Sequence, residues 1–170
     1  NEKEIDKWVK EAEESGELAI DTETSSLDAH QAELIGISLS TKIGKACYIP
    51  IGHNSDGCIK KEVVIKKLKS LFEDKSVKKI GQNIKFDFII LYKQGIKMNS
   101  MEDTMLMSYV LDAGKNRHNM DILSEIHLNH KTITFKEMVG TGKKEINFSE
   151  VELVKAMEYA AEDADITYRL

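Results

Sequence analysis

Apolar residues recur along this chain with two different periods. Ile5, Trp8, Val9 and Ala12 follow the i, i+3, i+4, i+7 spacing of one helix face and predict a helix over residues 3–15, ended by Ser15-Gly16. Leu18 to Thr22 instead reads as a short buried strand. Leu34–Leu39 and Ala46–Ile51 flank Lys42-Ile43-Gly44-Lys45, a hairpin signal, so the first three strands form a meander. Val64, Ile65, Leu68, Leu71 and Phe72 mark a helix over about residues 60–73. Val77–Ile80 is a fourth strand, halted by Gly81. A helix over 84–94 follows, with Phe88, Leu91 and Tyr92 on one side and Gly95 at its C-terminus.

The second half is less regular. Asp103 caps a Met-rich helix over 103–112, and Met101, Met105 and Met107 read as core filler. A short helix covers 119–128. Residues 129–148 are polar, contain Gly140 and Gly142, and read as a mobile loop. Ser149 then caps a final helix with Glu152 at the capping-box position, and Leu153, Met157, Ala160, Ala161, Ala164 and Tyr168 form its buried stripe. A meander joined to a helix crossover predicts an α/β fold with a mixed sheet. Sites in such sheets gather at the carboxyl ends of strands. Asp21, Glu23 and Gly81-Gln82-Asn83 all lie at such ends.

Composition narrows the class. The chain has 170 residues, 41% apolar and 31% charged, which fits one folded domain over residues 1–170. It has one proline, no repeat and no low-complexity segment. Asn1 is read as a boundary or a processed end, since no initiator Met or signal-peptide core precedes Ile5. No apolar run approaches the roughly 20 residues that span a bilayer, so no membrane partner is expected. Cys47 and Cys58 make neither a zinc site nor a disulfide framework, and a cytoplasmic location is the default. The net charge of −5 argues against gripping duplex DNA by phosphate neutralisation alone, but does not exclude a nucleic-acid substrate. Lys60, Lys61, Lys66, Lys67 and Lys69, and again Lys75, Lys78 and Lys79, read as solvated helix faces.

Three elements carry chemistry. In Asp21-Thr22-Glu23, residues i and i+2 of a strand project to one face, so two carboxylates stand side by side. Such a pair repels itself unless a cation lies between, and hard cations prefer carboxylate oxygens. In Gly81-Gln82-Asn83-Ile84-Lys85-Phe86-Asp87, Asn83 and Asp87 are four apart and would share a helix face. In Tyr159-Ala160-Ala161-Glu162-Asp163-Ala164-Asp165, Tyr159 and Asp163 are again four apart. Each alone is compatible with an ordinary solvated acidic turn or helix cap. Together they offer four carboxylates and a phenol, the set required by two metals about 3.5–4 Å apart. His127 and His130 lack zinc-spaced partners, and Gly140-Thr141-Gly142-Lys143-Lys144 lacks the spacing of a phosphate loop.

With Thr24-Ser25-Ser26-Leu27-Asp28 after the first element, and with Arg117-His118-Asn119-Met120-Asp121 and His130-Lys131-Thr132-Ile133-Thr134-Phe135 between the last two, the sequence resembles the 3′–5′ proofreading exonuclease domain of bacterial family A DNA polymerases, in the DEDD superfamily, tyrosine subclass. The resemblance covers nearly the whole chain. It implies a ribonuclease H-like (DnaQ-like exonuclease) fold, a mixed five-stranded sheet flanked by helices. It implies two divalent metal ions, Mg²⁺ or Mn²⁺ with Zn²⁺ admissible at one site. Asp21 would bridge both, Glu23 and Asp163 would hold the metal that activates water, Asp87 would serve the second, and Tyr159 would orient the attacking water. Leu27 and Phe135 would wedge against terminal bases, Gln82, Asn83 and Arg117 would contact the strand, and Thr22 and Glu23 would hold the 3′-hydroxyl. Phe86 departs from relatives that carry Tyr beside the second-element Asp, which removes a hydroxyl contact but no ligand.

The implied substrate is the 3′ end of single-stranded DNA, and the implied partner is a covalently linked polymerase domain following Leu170, the domain itself being monomeric and associated with the bacterial nucleoid. Two other readings stay open at this point: a stand-alone RNA-trimming exonuclease, and an inactive module that only holds a strand or braces a neighbouring domain.

Overall fold

Glu17–Thr24 (β1) is the central strand of a mixed five-stranded sheet, in a computed structural model that describes residues 1–170. Leu34–Lys42 (β2) pairs antiparallel with β1, and Lys45–Pro50 (β3) pairs antiparallel with β2. On the other side, Lys78–Gly81 (β4) runs parallel to β1, and Met101–Asp103 (β5) runs parallel to β4. The order is therefore β3-β2-β1-β4-β5. The ribonuclease H-like expectation of a mixed five-stranded sheet holds. The fifth strand is three residues, Met-Glu-Asp, too short and polar to announce itself by alternation.

The helices are Glu2–Ser15 (α1), Lys61–Glu73 (α2), Lys85–Lys93 (α3), Thr104–Asp112 (α4), Met120–Leu123 (α5), Phe135–Val139 (α6) and Leu153–Arg169 (α7). Leu18 and Ile20 of β1 and Ile37 and Leu39 of β2 face a core shared with Ile5 of α1, Val64, Leu68 and Phe72 of α2, and Ile90 and Leu91 of α3. Alternation sends Ala19, Asp21 and Glu23 the other way. On that face the cross-strand partners are Ser40, Ser38 and Gly36. These small residues let α7 lie close, through Ala156, Ala160 and Ala164, all fully buried. The mid-helix Asp163 is carried in with them.

Several expectations are corrected here. The buried stripe of α7 contains Ala156, Asp163, Ile166 and Thr167, while Met157 is exposed. The helix begins at Leu153 without a side-chain cap; the capping box belongs to the short 3-10 turn Phe148–Glu150, where Asn147 accepts from Ser149 N–H. Residues 129–148 are not one loop, since α6 opens at Thr134 with a capping box closed by Glu137. Met101 and Met107 are exposed rather than core. On α3, Tyr92 is exposed and Asp87 takes the buried position. Lys79 is no solvated side chain: it lies on β4, fully buried, and its Nζ donates to the carbonyls of Asp74 and Val77.

Candidate active site

The site lies where β1 loses a neighbour. Pairing with β4 covers only Glu17–Ala19, because β4 ends at Gly81 and the chain turns into α3. A side chain at Gly81 would begin 2.8 Å from Ile84, so the turn needs glycine there. Asn83 follows with φ 62°, outside the helix rather than capping it on a face shared with Asp87. Instead Asp103 holds the turn: its carboxylate accepts from Asn83 N–H and Ile84 N–H, both at 3.0 Å. The same carboxylate caps α4 by accepting from Met105 N–H at 2.9 Å. This fixes the first turn of α3 and delivers Asp87 beside the exposed edge of β1.

Asp21, Glu23 and Asp163 converge, with one carboxylate oxygen from each lying within 4.8 Å of the others. Asp87 joins from the opposite side of the strand, where Thr22 Oγ1 donates to Asp87 Oδ1 at 2.6 Å. Glu23, Asp87 and Asp163 are 6%, 2% and 5% exposed. Burial pushes all four carboxyls up, Asp21 to about 6. The Asp21 charge adds to the upward shift at each of the other three. The Thr22 hydrogen bond offsets part of it at Asp87. Glu23 Oε1 is buried without any hydrogen-bond partner. The Tyr159 phenol sits one turn before Asp163, and burial followed by the Asp163 charge holds its proton on.

Apolar walls rise from this acidic floor. A cavity of about 690 Å³ is lined by Asp21, Glu23 and Asp163 together with Leu27, Phe86, Met120, Phe135, Phe148 and Tyr159. Leu27 stands at the tip of the loop after β1 and is 89% exposed. The loop beneath it is ordered by Thr24 Oγ1 donating to Ser26 O at 3.0 Å and by Glu33 N–H donating to Ser25 Oγ at 2.9 Å. Phe135 stacks on Phe148, centroids 6.1 Å apart, and both lean on Tyr159. The segment bearing Phe135 is clamped to α7 through Glu162: its Oε1 meets His130 Nε2 at 2.8 Å, and its Oε2 accepts from Ile133 N–H at 2.6 Å.

Of the residues singled out in the sequence, Asp21, Thr22, Glu23, Leu27, Phe86, Phe135, Tyr159 and Asp163 line this one cavity. Asp87 sits behind Thr22. Gln82, Asn83 and Arg117 do not line it. Gln82 is tied down by donating to His118 O at 2.8 Å and accepting from Thr104 Oγ1. Arg117 borders a separate shallow depression with Tyr109, Asn116 and His118. Glu145, Ile146, Asn147 and Phe148 also line the cavity, and no element of the sequence analysis includes them as site residues. The Asn147-Phe148-Ser149-Glu150 capping box carried the signal for the last group, and Asn147 Nδ2 also donates to Ser25 O at 3.0 Å, pinning this segment to the end of β1.

Comparison with known proteins agrees with this geometry. A family model described as 3′-5′ exonuclease matches residues 1–170. The chain is 44% identical over 187 residues to DNA polymerase I of Rhizobium leguminosarum, covering 98% of this chain and 18% of the relative. It is 42% identical over 172 residues to DNA polymerase I of Pseudomonas aeruginosa, covering 98% and 19%. The chain thus spans about a fifth of the length of these relatives. Escherichia coli RNase D, described as an exoribonuclease involved in structured RNA processing, superposes with a TM-score of 0.72 at 16% identity over 97% of this chain and 40% of that one, which shows a shared fold. With the acidic floor, the central strand and the whole-length match in agreement, the chain belongs to the 3′–5′ exonuclease family, as a domain of the kind found in DNA polymerase I.

Proposed function

We propose that this domain hydrolyses the terminal phosphodiester at the 3′ end of single-stranded DNA and releases 5′-mononucleotides, proofreading for a polymerase domain on the same polypeptide. The observation that carries the reading is Glu23 Oε1, a buried carboxylate oxygen without a partner, in a trio with Asp21 and Asp163. Buried polar atoms in folded proteins are almost always paired. An unpaired acceptor among like charges fits a cation. The donors are all carboxylate oxygens, which suits Mg²⁺ or Mn²⁺, with Zn²⁺ admissible. Asp21, Glu23 and Asp163 would hold one ion and Asp87 would help hold a second, shared through Asp21. Such ions lower the pKa of a bound water and neutralise charge on the phosphate and leaving oxygen.

The protein's own groups supply orientation. Tyr159, held beside Asp163, aims its phenol at the attacking water. Water oxygen bonds to phosphorus, the P–O3′ bond breaks, and the shortened strand leaves with its 3′-hydroxyl protonated. Glu23 and the Thr22 backbone receive the 3′-hydroxyl of the departing nucleotide. Leu27 and Phe135 hold the last bases apart by apolar contact and stacking, which favours a single strand over a duplex. Phe86 adds apolar wall. Gln82, Asn83 and Arg117 lie outside the cavity and would meet the strand farther along.

A time course on a 5′-labelled single-stranded DNA, with Mg²⁺, Mn²⁺ or EDTA, tests this. A ladder shrinking from the 3′ end, dependent on metal and absent in Asp21→Ala, is the expected result. An RNA oligonucleotide of the same sequence serves as the second arm. Faster degradation of RNA would overturn the DNA assignment, and cleavage that survives Asp21→Ala would overturn the site.

A further inference from the structure

The aromatic wall of the cavity is held from behind by residues outside the cavity. Phe148 is 2% exposed; it stacks on Phe135, centroids 6.1 Å apart, and meets Tyr159 at 5.9 Å. Its backbone belongs to the three-residue turn Phe148–Glu150, too short to fix the ring by its own hydrogen bonds. Its place therefore depends on what grips the segment from either side. Asn147 ties one side to Ser25. The other side is held by the loop that follows β3.

That loop starts from a firm base. Ile51 N–H and Gly52 N–H both donate to Ile35 O, at 2.9 and 2.8 Å, so the chain leaving β3 is bound to β2. A side chain on Gly52 would begin 2.9 Å from Leu34 O, so the two backbones lie in close contact. His53 comes next, 8% exposed, and its ring packs on Phe148 with centroids 5.7 Å apart. Its Nε2 lies 2.7 Å from Tyr48 Oη, and the Tyr48 ring fills the space over Gly36. Its Nδ1 is buried without a closed hydrogen bond, beside the carbonyls of Val151 and Ser149. Asn54 N–H then donates to Ser149 O at 2.9 Å. His53 and Asn54 together grip the Phe148 segment through a ring contact and a backbone bond. A neutral imidazole with its proton on Nδ1 suits the position: a flat face for Phe148, an acceptor for the Tyr48 hydroxyl, and an N–H toward carbonyls.

We propose that His53 is a positioning residue: it holds Phe148, and so fixes the Tyr159 phenol and the Phe135 base seat relative to each other. The proposal rests on the exonuclease reading above, in which Tyr159 orients water and Phe135 receives a base. His53 does not line the cavity and acts through Phe148, which leans on both aromatics. Losing it costs orientation more than affinity, because Phe135 remains free to stack on a base.

The test measures steady-state cleavage of a 5′-labelled single-stranded DNA at saturating Mn²⁺, well below the melting temperature of every variant. His53→Ala lowers kcat about 10–100-fold, the scale of a misplacement of about 1 Å at a reacting group, while KM stays within about twofold. Mn²⁺ affinity by calorimetry, without nucleic acid, does not change. His53→Gln, whose amide offers both an acceptor and a donor, recovers part of kcat. In a Phe148→Ala background, His53→Ala causes no further loss. A lower melting temperature with kcat intact makes His53 merely structural and overturns the proposal, while cleavage by the parent leaves the exonuclease reading standing. Equal loss in both backgrounds also overturns it, because His53 then acts through another residue. A fall in Mn²⁺ affinity places the effect at the metal and overturns it too. A parent chain that cleaves no DNA overturns the exonuclease reading and this proposal with it. Should His53→Ala fail to fold, Tyr48→Phe removes the hydroxyl that braces the imidazole: a drop in kcat only when Phe148 is present supports the proposal, and no drop overturns it.

Discussion

Lys79 and Glu23 are both ionisable side chains withdrawn from water, 0% and 6% exposed, and their surroundings are opposite. Lys79 Nζ donates to two backbone carbonyls in the turn it packs against. Burial pulls its pKa down to about 8, with the Asp74 charge opposing the shift. Glu23 meets three more carboxylates and keeps one oxygen without a partner. A buried charge that is fully hydrogen-bonded contributes to a unique fold, whereas like charges packed together without partners destabilise it. The first arrangement is closed within the chain. The second can be completed only from outside, which is what a binding site requires.

Four measurements would break or sharpen this contrast. Asp21→Ala removes the charge that acts on each of the other three carboxyls. Cleavage should fall at least about a thousandfold, on the scale of losing a major electrostatic element of a transition state. The melting temperature in EDTA should rise, since repulsion is relieved; a fall would mean the cluster is stabilising as it stands. Tyr159→Phe should slow cleavage by about a hundredfold, as for a group that handles protons or orients water, with Mn²⁺ affinity by calorimetry unchanged. Lys79→Met should show the opposite pattern, touching stability and sparing cleavage. It leaves two carbonyls without a donor and should lower stability by about 1–3 kcal/mol in urea melts, with cleavage unaltered.

The smallest effect is the pH dependence of the metal-free chain. The four acids hold protons in the folded state that the unfolded chain would release. Their contribution to stability is therefore complete below the unfolded values near about 4 and is lost as pH rises through the folded ones, Asp21's being about 6. In EDTA the chain should melt a few degrees lower at pH 8 than at pH 5. Mg²⁺ or Mn²⁺ should shrink that difference, as should Asp21→Ala. His53, whose pKa burial lowers, opposes this trend over the lower part of the window, and the comparison is best made in a His53→Gln background as well. Lys79 acts outside it. Its lowered folded value makes stability rise with pH only above about 8. A melting temperature that climbs from pH 5 to pH 8 in EDTA would contradict the reading of the cluster.

The acidic floor was legible because period two in a strand and period four in a helix fix which carboxylates share a face. That Asp21, Glu23 and Asp163 converge from two separate elements is not in either period; the family resemblance supplied it, and the structure brings them together. Asp87 was found by the wrong route: Asn83 was expected to open its helix, but Asn83 sits at positive φ and Asp103, twenty residues on, organises the turn. No local pattern announces a hydrogen bond across that separation. The face of α7 is legible only in part. Ala160 and Ala164 of the expected stripe are buried, but a helix lying flat on Ser38, Ser40 and Gly36 sends Met157 outward and turns Ala156 and Asp163 in. Lys79 was misread because its charge outweighed its place in a strand, and the carbonyls that satisfy it come from a turn. Gln82 and Arg117 remain apart from the cavity, and nothing in their spacing distinguished a strand contact from a structural tie such as Gln82 to His118.

The Glu162 clamp couples distance to chemistry. Asp163 is the next residue on the same helix, and the clamp reaches Ile133, two residues before Phe135. On the proposed function, a base seated against Phe135 would be referenced to Asp163 through a single side chain. Any displacement of α7 would carry Asp163 and the segment bearing Phe135 together. The slack between them is limited to the stretch of one histidine contact and one amide bond. On the proposed function, this clamp would make the domain a gauge as well as a cutter, because the seat for the terminal base and the acidic floor are joined through neighbouring residues of one helix.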